Sequence, residues 1–281
     1  MRTVLAAVAA LMIGSMGGNM TGGPAVAQEA RQDAALTELT TADATRGWEA
    51  VGRIDIGRSA FCTGTLIAPA LVLTAAHCLY DQKTGRPYDA AEFEFLAGWR
   101  GGRAVAYRGV KRAVPHPDYV YEGRDRIDRV AYDLAILELD QPIRLPSVHP
   151  FGIGHDPVQG DTVGVVSYAL DRAEAPALQP ACEVLGREPG ILVLTCSVDF
   201  GSSGAPVFAM EGGEPRIVSV VSAKAEMDSR PVALGTQMEG PISELRAAVA
   251  AGEGTFRKVV HGFGPQAPQP AAAGGAKFLR P

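Results

Sequence analysis

Three short stretches of this sequence carry residue types from which hydrolytic chemistry can be assembled. Gly201-Ser202-Ser203-Gly204-Ala205-Pro206 lies between an apolar run ending at Cys196 and another that begins Pro206-Val207-Phe208. A nucleophilic serine needs an exposed hydroxyl and backbone N–H groups aimed at the oxygen where negative charge develops. Glycine before and after Ser203 allows the tight turn that points amides at one spot, although an ordinary Gly-Ser turn has the same composition. Leu73-Thr74-Ala75-Ala76-His77-Cys78 runs a strand into small residues and then a histidine, which fixes an imidazole at a strand end. The other histidines are poorer general bases. His116 stands between Pro115 and Pro117, His149 and His155 lie in a Pro-rich connection, and His261 precedes the tail. Cys62 lies one hairpin before Cys78, and a Cys62–Cys78 bridge would clamp both strands around His77. In Tyr132-Asp133-Leu134-Ala135-Ile136-Leu137 the carboxylate sits at the mouth of an apolar strand. Burial there suits a group that orders an imidazole and stabilises its charged form. Asp125 and Asp128 read as parts of a solvated loop, and Asp118 and Asp140 flank prolines and turns.

The elements that must position these residues read as short strands. Apolar or alternating runs at 64–67, 71–74, 93–97, 105–114, 134–139, 162–168, 182–185, 191–196, 206–209 and 217–222 are broken by Gly, Pro and Asp. The chain holds 33 glycines and 20 prolines, an excess that favours turns and an all-β body over a helical bundle. Pro-rich residues 142–160 divide two strand-rich halves, a layout that fits two β-barrels and, by periodicity alone, one large sandwich equally well. One helix is expected near the end, with Pro241 in its first turn, Ile242, Leu245 and Val249 on one face, and Gly252 as its stop. No internal repeat is evident.

The ends differ from the body. Arg2, the ten-residue apolar run Val4 to Ile13 and Ala25-Val26-Ala27 predict a signal peptide over 1–27. The run is too short for about 30 Å of hydrocarbon, so the product is expected to be secreted or periplasmic, with no membrane contact after cleavage. Residues 28–46 read as a flexible leader or propeptide, and 261–281, rich in Ala, Gly and Pro, as a disordered tail. Outside the cytosol four cysteines point to disulfides, and the absence of any C-x-x-C pair argues against zinc. No metal or cofactor is expected. The net charge of −5 excludes the basic footprint of a dedicated nucleic-acid binder. The basic stretch Arg100 to Arg112 (RGGRAVAYRGVKR) reads as solvent faces of strands, with an acidic partner as the alternative.

TAAHC, DLAIL and GSSGAP, in that order, resemble the three catalytic signatures of the chymotrypsin-like serine peptidases, and most of all the bacterial exported, glutamyl-endopeptidase-like branch. The resemblance covers roughly 48–250 and is strongest over Phe61 to Tyr80. It implies two antiparallel six-stranded β-barrels with a cleft between them. An N-terminal barrel over 47–145 would carry His77 and Asp133, and a C-terminal barrel with a short helix over 146–260 would carry Ser203. His77 would be the general base, Asp133 its orienting carboxylate, Ser203 the nucleophile, and the N–H groups of Gly201 and Ser203 the oxyanion hole. The order His, Asp, Ser excludes the subtilisin and α/β-hydrolase arrangements. The implied activity is that of an endopeptidase acting on protein or peptide substrates as a monomer. A catalytically silent binding module on the same fold is the alternative.

Three departures qualify the carry-over. Ser202 precedes the nucleophile where trypsin and chymotrypsin carry an aspartate, so activation through an ion pair with a new N-terminus is not expected. Ser197 stands where trypsin has the aspartate of its pocket floor, with Asp199 close by. Ser222-Ala223-Lys224 resembles the strand lining the primary pocket, where Lys224 replaces a glycine and either narrows the pocket, meets an acidic side chain or points to solvent. Lastly, Cys182 and Cys196 flank a hairpin whose turn is Arg187 to Gly190, and a Cys182–Cys196 bridge there differs from the usual set of the animal enzymes. A family Ca²⁺ site finds no convincing ligand cluster in the sequence.

Overall fold

The computed structural model describes residues 33–57, 60–121 and 127–256. The signal region, residues 28–32 and the tail 261–281 lie outside the described residues. Fourteen strands and one α-helix follow in chain order: β1 (Thr37–Glu38), β2 (Val51–Ile56), β3 (Ala60–Ala68), β4 (Leu71–Thr74), β5 (Phe93–Ala97), β6 (Ala106–Pro115), β7 (Ala135–Leu139), β8 (Thr162–Ala169), β9 (Arg172–Glu188), β10 (Ile191–Leu194), β11 (Pro206–Glu211), β12 (Glu214–Met227), β13 (Arg230–Gln237), α1 (Pro241–Ala251) and β14 (Thr255–Phe256). Period-two burial explains several of them. In β5, Phe93 and Phe95 turn inward while Glu94 between them is exposed.

All pairings are antiparallel between these strands, and they close two six-stranded rings. The first runs β2-β3-β4-β7-β6-β5 and returns to β2, with β14 added beside β6. The second runs β8-β9-β10-β13-β12-β11 and returns to β8, with β1 added beside β9. Both rings therefore share one order: first, second, third, sixth, fifth, fourth. The two-barrel expectation holds and the sandwich alternative does not. The repeat is one of topology, invisible in the residues.

Strand β2 and strand β13 are absent from the expected runs, and β9 and β12 are longer than expected. Val-Gly-Arg-Ile-Asp-Ile in β2 hides its alternation behind Arg53, which bonds Asp55 and stacks over the rings of Phe61 and Trp99. Residues 33–46 also differ from a flexible leader. Ala34 donates to Ala181 O, Leu39 to Pro176 O, and Thr37 and Glu38 pair with Leu178 and Ala177, so residues 34–39 run along the edge of the second barrel with β1 as a two-residue edge strand.

Helix α1 runs over Pro241–Ala251 as expected and ends at Gly252, whose φ of 82° lets its N–H reach Ala248 O and Val249 O. It follows the second barrel in sequence yet packs on β6 and β7 of the first, with Ile242, Leu245 and Ala248 buried. Arg112 fixes that docking, and here the basic stretch departs from expectation. Arg103 and Lys111 face solvent, but Arg112 is 6% exposed. Its guanidinium bonds Glu138 at 2.8 Å and donates to the carbonyls of Val249 and Glu253 at 2.9 and 3.1 Å, the helix end where a cation is stabilising. Both barrels belong to one compact unit beginning at Asp33. No described helix is long and apolar enough to cross a membrane.

Candidate active site

The register of the first barrel brings His77 and Asp133 together. Thr74 at the end of β4 pairs with Ala135 at the start of β7, so residues just past one strand meet residues just before the other. A single 3-10 turn, Ala76–Leu79, carries His77, and a second, Ile127–Tyr132, delivers the chain to Asp133. Ala75 and Ala76 are fully buried, which is why this corner needs small residues. Asp133 is 2% exposed. Its Oδ1 accepts the His77 backbone N–H at 2.8 Å and its Oδ2 faces the imidazole Nδ1 at 2.6 Å. The Ser222 hydroxyl donates to the same Oδ2. Burial alone would raise the Asp133 pKa; the neighbouring imidazole and these donors outweigh it and hold the carboxyl below its ordinary range. The Nδ1 contact leaves Nε2, which has the bridged Cys78 Sγ at 3.9 Å, as the ring nitrogen for an incoming proton.

The second barrel contributes the turn before β11. Gly201 and Gly204 have φ of 97° and 81°, and a side chain at either would collide with the first barrel, Phe61 at Gly201 and Thr63 and Thr74 at Gly204. Those glycines let the turn press against β3. Thr63 N–H donates to Ser203 O at 2.8 Å, and Thr63 Oγ1 donates to Gly201 O at 2.9 Å while accepting Tyr168 N–H at 3.1 Å. Within the turn, the amides of Phe200, Ser202, Gly204 and Ala205 are all engaged by the protein. Among the described residues the amides of Gly201 and Ser203 donate to no protein acceptor. Ser203 and His77 line one cleft of about 460 Å³, with Asp133 behind the imidazole.

Two residues gain partners that sequence patterns did not assign. Ser222 lines the cleft, as expected of a pocket residue, but its hydroxyl is spent on Asp133. Ser202 is fully buried and accepts from Arg172 Nη2 and from Asp199 N–H, each at 3.3 Å, while donating to Tyr168 O at 3.1 Å. A guanidinium supplied by β9 thus stands under the turn at the residue that lacks an aspartate. Its distance of thirty residues along the chain left no local signal. Of the other expected pocket residues, Lys224 lines the cleft, half-exposed and 3.7 Å from Asp199. Ser197 does not; it lines an adjoining cavity of about 310 Å³ that includes Arg172 and Leu36 and shares Val198, Asp199 and Lys224 with the cleft. The rest of the cleft wall mixes aliphatic side chains, among them Val198, Val221, Ala223 and Leu234, with Gln82, Arg129, Asp199 and Phe200.

Both expected bridges are formed. Cys62–Cys78 has a Cα separation of 6.4 Å and Cys182–Cys196 of 5.1 Å, the first beside His77 and the second leading into the nucleophile turn. Cys62, His77 and Cys78 lie close together, but the bridged sulfurs are not metal ligands. His116 is 1% exposed, near Asp118 and Glu244. Its Nδ1 accepts the Asp118 amide at 3.2 Å, which puts the proton on Nε2 and leaves no lone pair there for a metal.

Two closed antiparallel barrels with histidine, aspartate and serine gathered at a cleft define the chymotrypsin-like architecture. The sequence pattern of the family Trypsin matches residues 40–185, and the chain belongs to that family. A glutamyl endopeptidase of Bacillus licheniformis is 30% identical over 149 residues, 52% of this chain and 45% of its own length. A trypsin of Simulium vittatum is 30% identical over 188 residues, 57% of this chain and 69% of its own. A modular serine protease of Drosophila melanogaster is 35% identical over 89 residues, and there the chain spans only 14% of the relative. Among solved structures, that of a Glu endopeptidase in complex with MPD superposes with a TM-score of 0.63 at 20% identity, covering 79% of this chain and 98% of the other. That likeness is one of fold.

Proposed function

We propose that this chain is an exported serine endopeptidase that hydrolyses peptide bonds through an acyl-enzyme, with His77, Asp133 and Ser203 as its triad. The observation that carries the reading is the pairing of a clamped imidazole with two unengaged amides. Asp133 takes both the Nδ1 side and the backbone N–H of His77, which fixes the tautomer that presents Nε2 to the cleft. Ser203 Oγ attacks the substrate carbonyl as Nε2 takes its proton. The negative charge that forms on the carbonyl oxygen meets the N–H groups of Gly201 and Ser203, the two donors that the turn leaves unused. The imidazolium then protonates the leaving amine, and water repeats the sequence in reverse to free the acid product. Asp133 stays ionised throughout, as its lowered pKa requires.

Two formed disulfides and the apolar run behind Arg2 support export. The cleft is lined by Arg129, Asp199 and Lys224 as well as aliphatic side chains, and Lys224 offers a cation to an acidic side chain of the substrate. Profiling cleavage sites with a mixed peptide library tests the whole reading, with Ser203→Ala as the control. The expected result is turnover by the natural chain alone, with a preference that changes in Lys224→Gly. Equal cleavage by both chains, or none by either, contradicts it; folded protein with no cleavage is the outcome of a silent binding module.

A further inference from the structure

The cleft wall at 197–199 lies outside the sheets. Strand β10 ends at Leu194, and past the bridged Cys196 the chain passes Val198 and Asp199, which line the cleft, on its way to the nucleophile turn. Two side chains tether this stretch by its amides. Ser202 Oγ accepts the Asp199 N–H at 3.3 Å, and Gln179 Oε1 accepts the Ser197 N–H at 2.7 Å. Gln179 comes from β9 and is 2% exposed, so both ends of its carboxamide need partners within the protein. The other end reaches residue 34: Gln179 Nε2 donates to Ala34 O at 3.1 Å.

Residues 33–36 belong to the stretch whose composition reads as a leader or propeptide, yet three further contacts hold them behind this wall. Ala34 N–H donates to Ala181 O on β9 at 2.8 Å. The Thr195 hydroxyl donates to Asp33 Oδ1 at 2.7 Å and accepts the Glu183 N–H at 2.8 Å. Leu36, half-buried, lines the cavity of about 310 Å³ together with Ser197, Val198 and Asp199. One buried carboxamide thus joins the N-terminal segment to the backbone of the cleft wall.

We propose that Gln179 is a positioning residue and residues 33–36 the brace it draws on, so that their loss weakens substrate binding, where loss of a propeptide would release activity. The role rests on the endopeptidase activity proposed above. Two variants of the full chain break the link at either end. Gln179→Met stays close to the buried shape without either hydrogen bond, and Ala34→Pro removes the N–H that holds residue 34 to β9. A displaced wall loosens the hold on substrate in ground and transition state alike. Peptide KM should therefore rise about tenfold in Gln179→Met and severalfold in Ala34→Pro, with kcat little changed. The double variant should be no worse than Gln179→Met, since both act through one link. Hydrogen exchange, followed in chains that also carry Ser203→Ala to prevent self-cleavage, gives a readout free of activity. Exchange over 195–200 should be severalfold faster in both variants, while β2 and β5 exchange as in the natural chain. Unchanged exchange over 195–200 overturns the brace. Turnover lost through kcat at the natural KM, as less folded enzyme would give, overturns the positioning role, and so do KM increases that multiply in the double variant. A natural chain with no turnover is a failure of the activity instead, and the exchange result then still decides the brace.

Discussion

The two barrels have the same strand order but hold their parts of the site by different means. In the first, His77 and Asp133 sit at the ends of β4 and β7, neighbouring strands whose register already aligns them. Small buried residues and one short bridge complete the corner, and almost every partner of the pair is local to that barrel. In the second, Ser203 rides on a turn with two left-handed glycines, and that turn is held from both barrels: by Thr63 of the first and by Arg172 of its own. The exception on the first side is Ser222, which reaches back from β12 to Asp133. One half of the site is thus a property of a sheet edge, while the other exists only where the barrels meet. That asymmetry explains why the glycines flanking Ser203 admit no side chain: each faces an atom of the opposite barrel.

The largest expected effect tests whether the halves act as a unit. His77→Ala and Ser203→Ala should each lower peptide kcat by about 10⁴-fold or more, and the double variant should be no worse than either. Losses that multiply in the double variant would break the account of one shared constellation. Next in size, Ser222→Ala removes the cross-barrel donor to Asp133. A hydrogen bond to a charged group is worth about 1.5–3 kcal/mol, so turnover should fall roughly 10- to 100-fold with KM little changed. An unaffected kcat would make Ser222 a pocket residue only.

Thr63→Val sharpens the comparison from the other side. It keeps the fully buried shape but leaves Gly201 O and Tyr168 N–H without their partner, at a cost of about 1–3 kcal/mol in stability. If the turn depends on the first barrel, labelling of Ser203 by a fluorophosphonate should slow by about tenfold, as a loss of that size in transition-state positioning requires. A destabilised protein that labels at the natural rate would show that Thr63 serves the fold alone. The smallest effect concerns acid. Asp133 has a folded-state pKa below its unfolded value, so its contribution to stability is fully present above about pH 4 and fades as pH falls through the folded value. Denaturation between pH 5 and pH 2 should therefore be steeper for the natural chain than for Asp133→Asn, as about those limits imply for a paired carboxylate. Parallel curves would contradict the lowered pKa.

The difference between the barrels also decides what was legible in the residues. His77 and Asp133 are announced by short local patterns, a strand entering small residues and a carboxylate opening an apolar strand, because the sheet edge that holds them is local. Gly201 and Gly204 were legible because a tight turn around Ser203 calls for glycine whatever it faces. Arg172, Thr63 and the Asp133 bond of Ser222 were not, since each acts on a residue far away in the chain. The docking of α1 on the first barrel was hidden likewise: its own pattern predicts a helix, but the partner that anchors it, Arg112, sits in a stretch whose alternation suggests solvent. Residues 34–39 look loose by composition because an edge segment needs backbone partners more than apolar side chains.

The central claim is that the clamped imidazole activates Ser203 beside the two unengaged amides. Mass spectrometry after treating the folded, disulfide-bonded protein with a fluorophosphonate tests it directly. Stoichiometric modification at Ser203, abolished in His77→Ala, is the predicted result. Absence of modification, or modification that survives loss of His77, would contradict it.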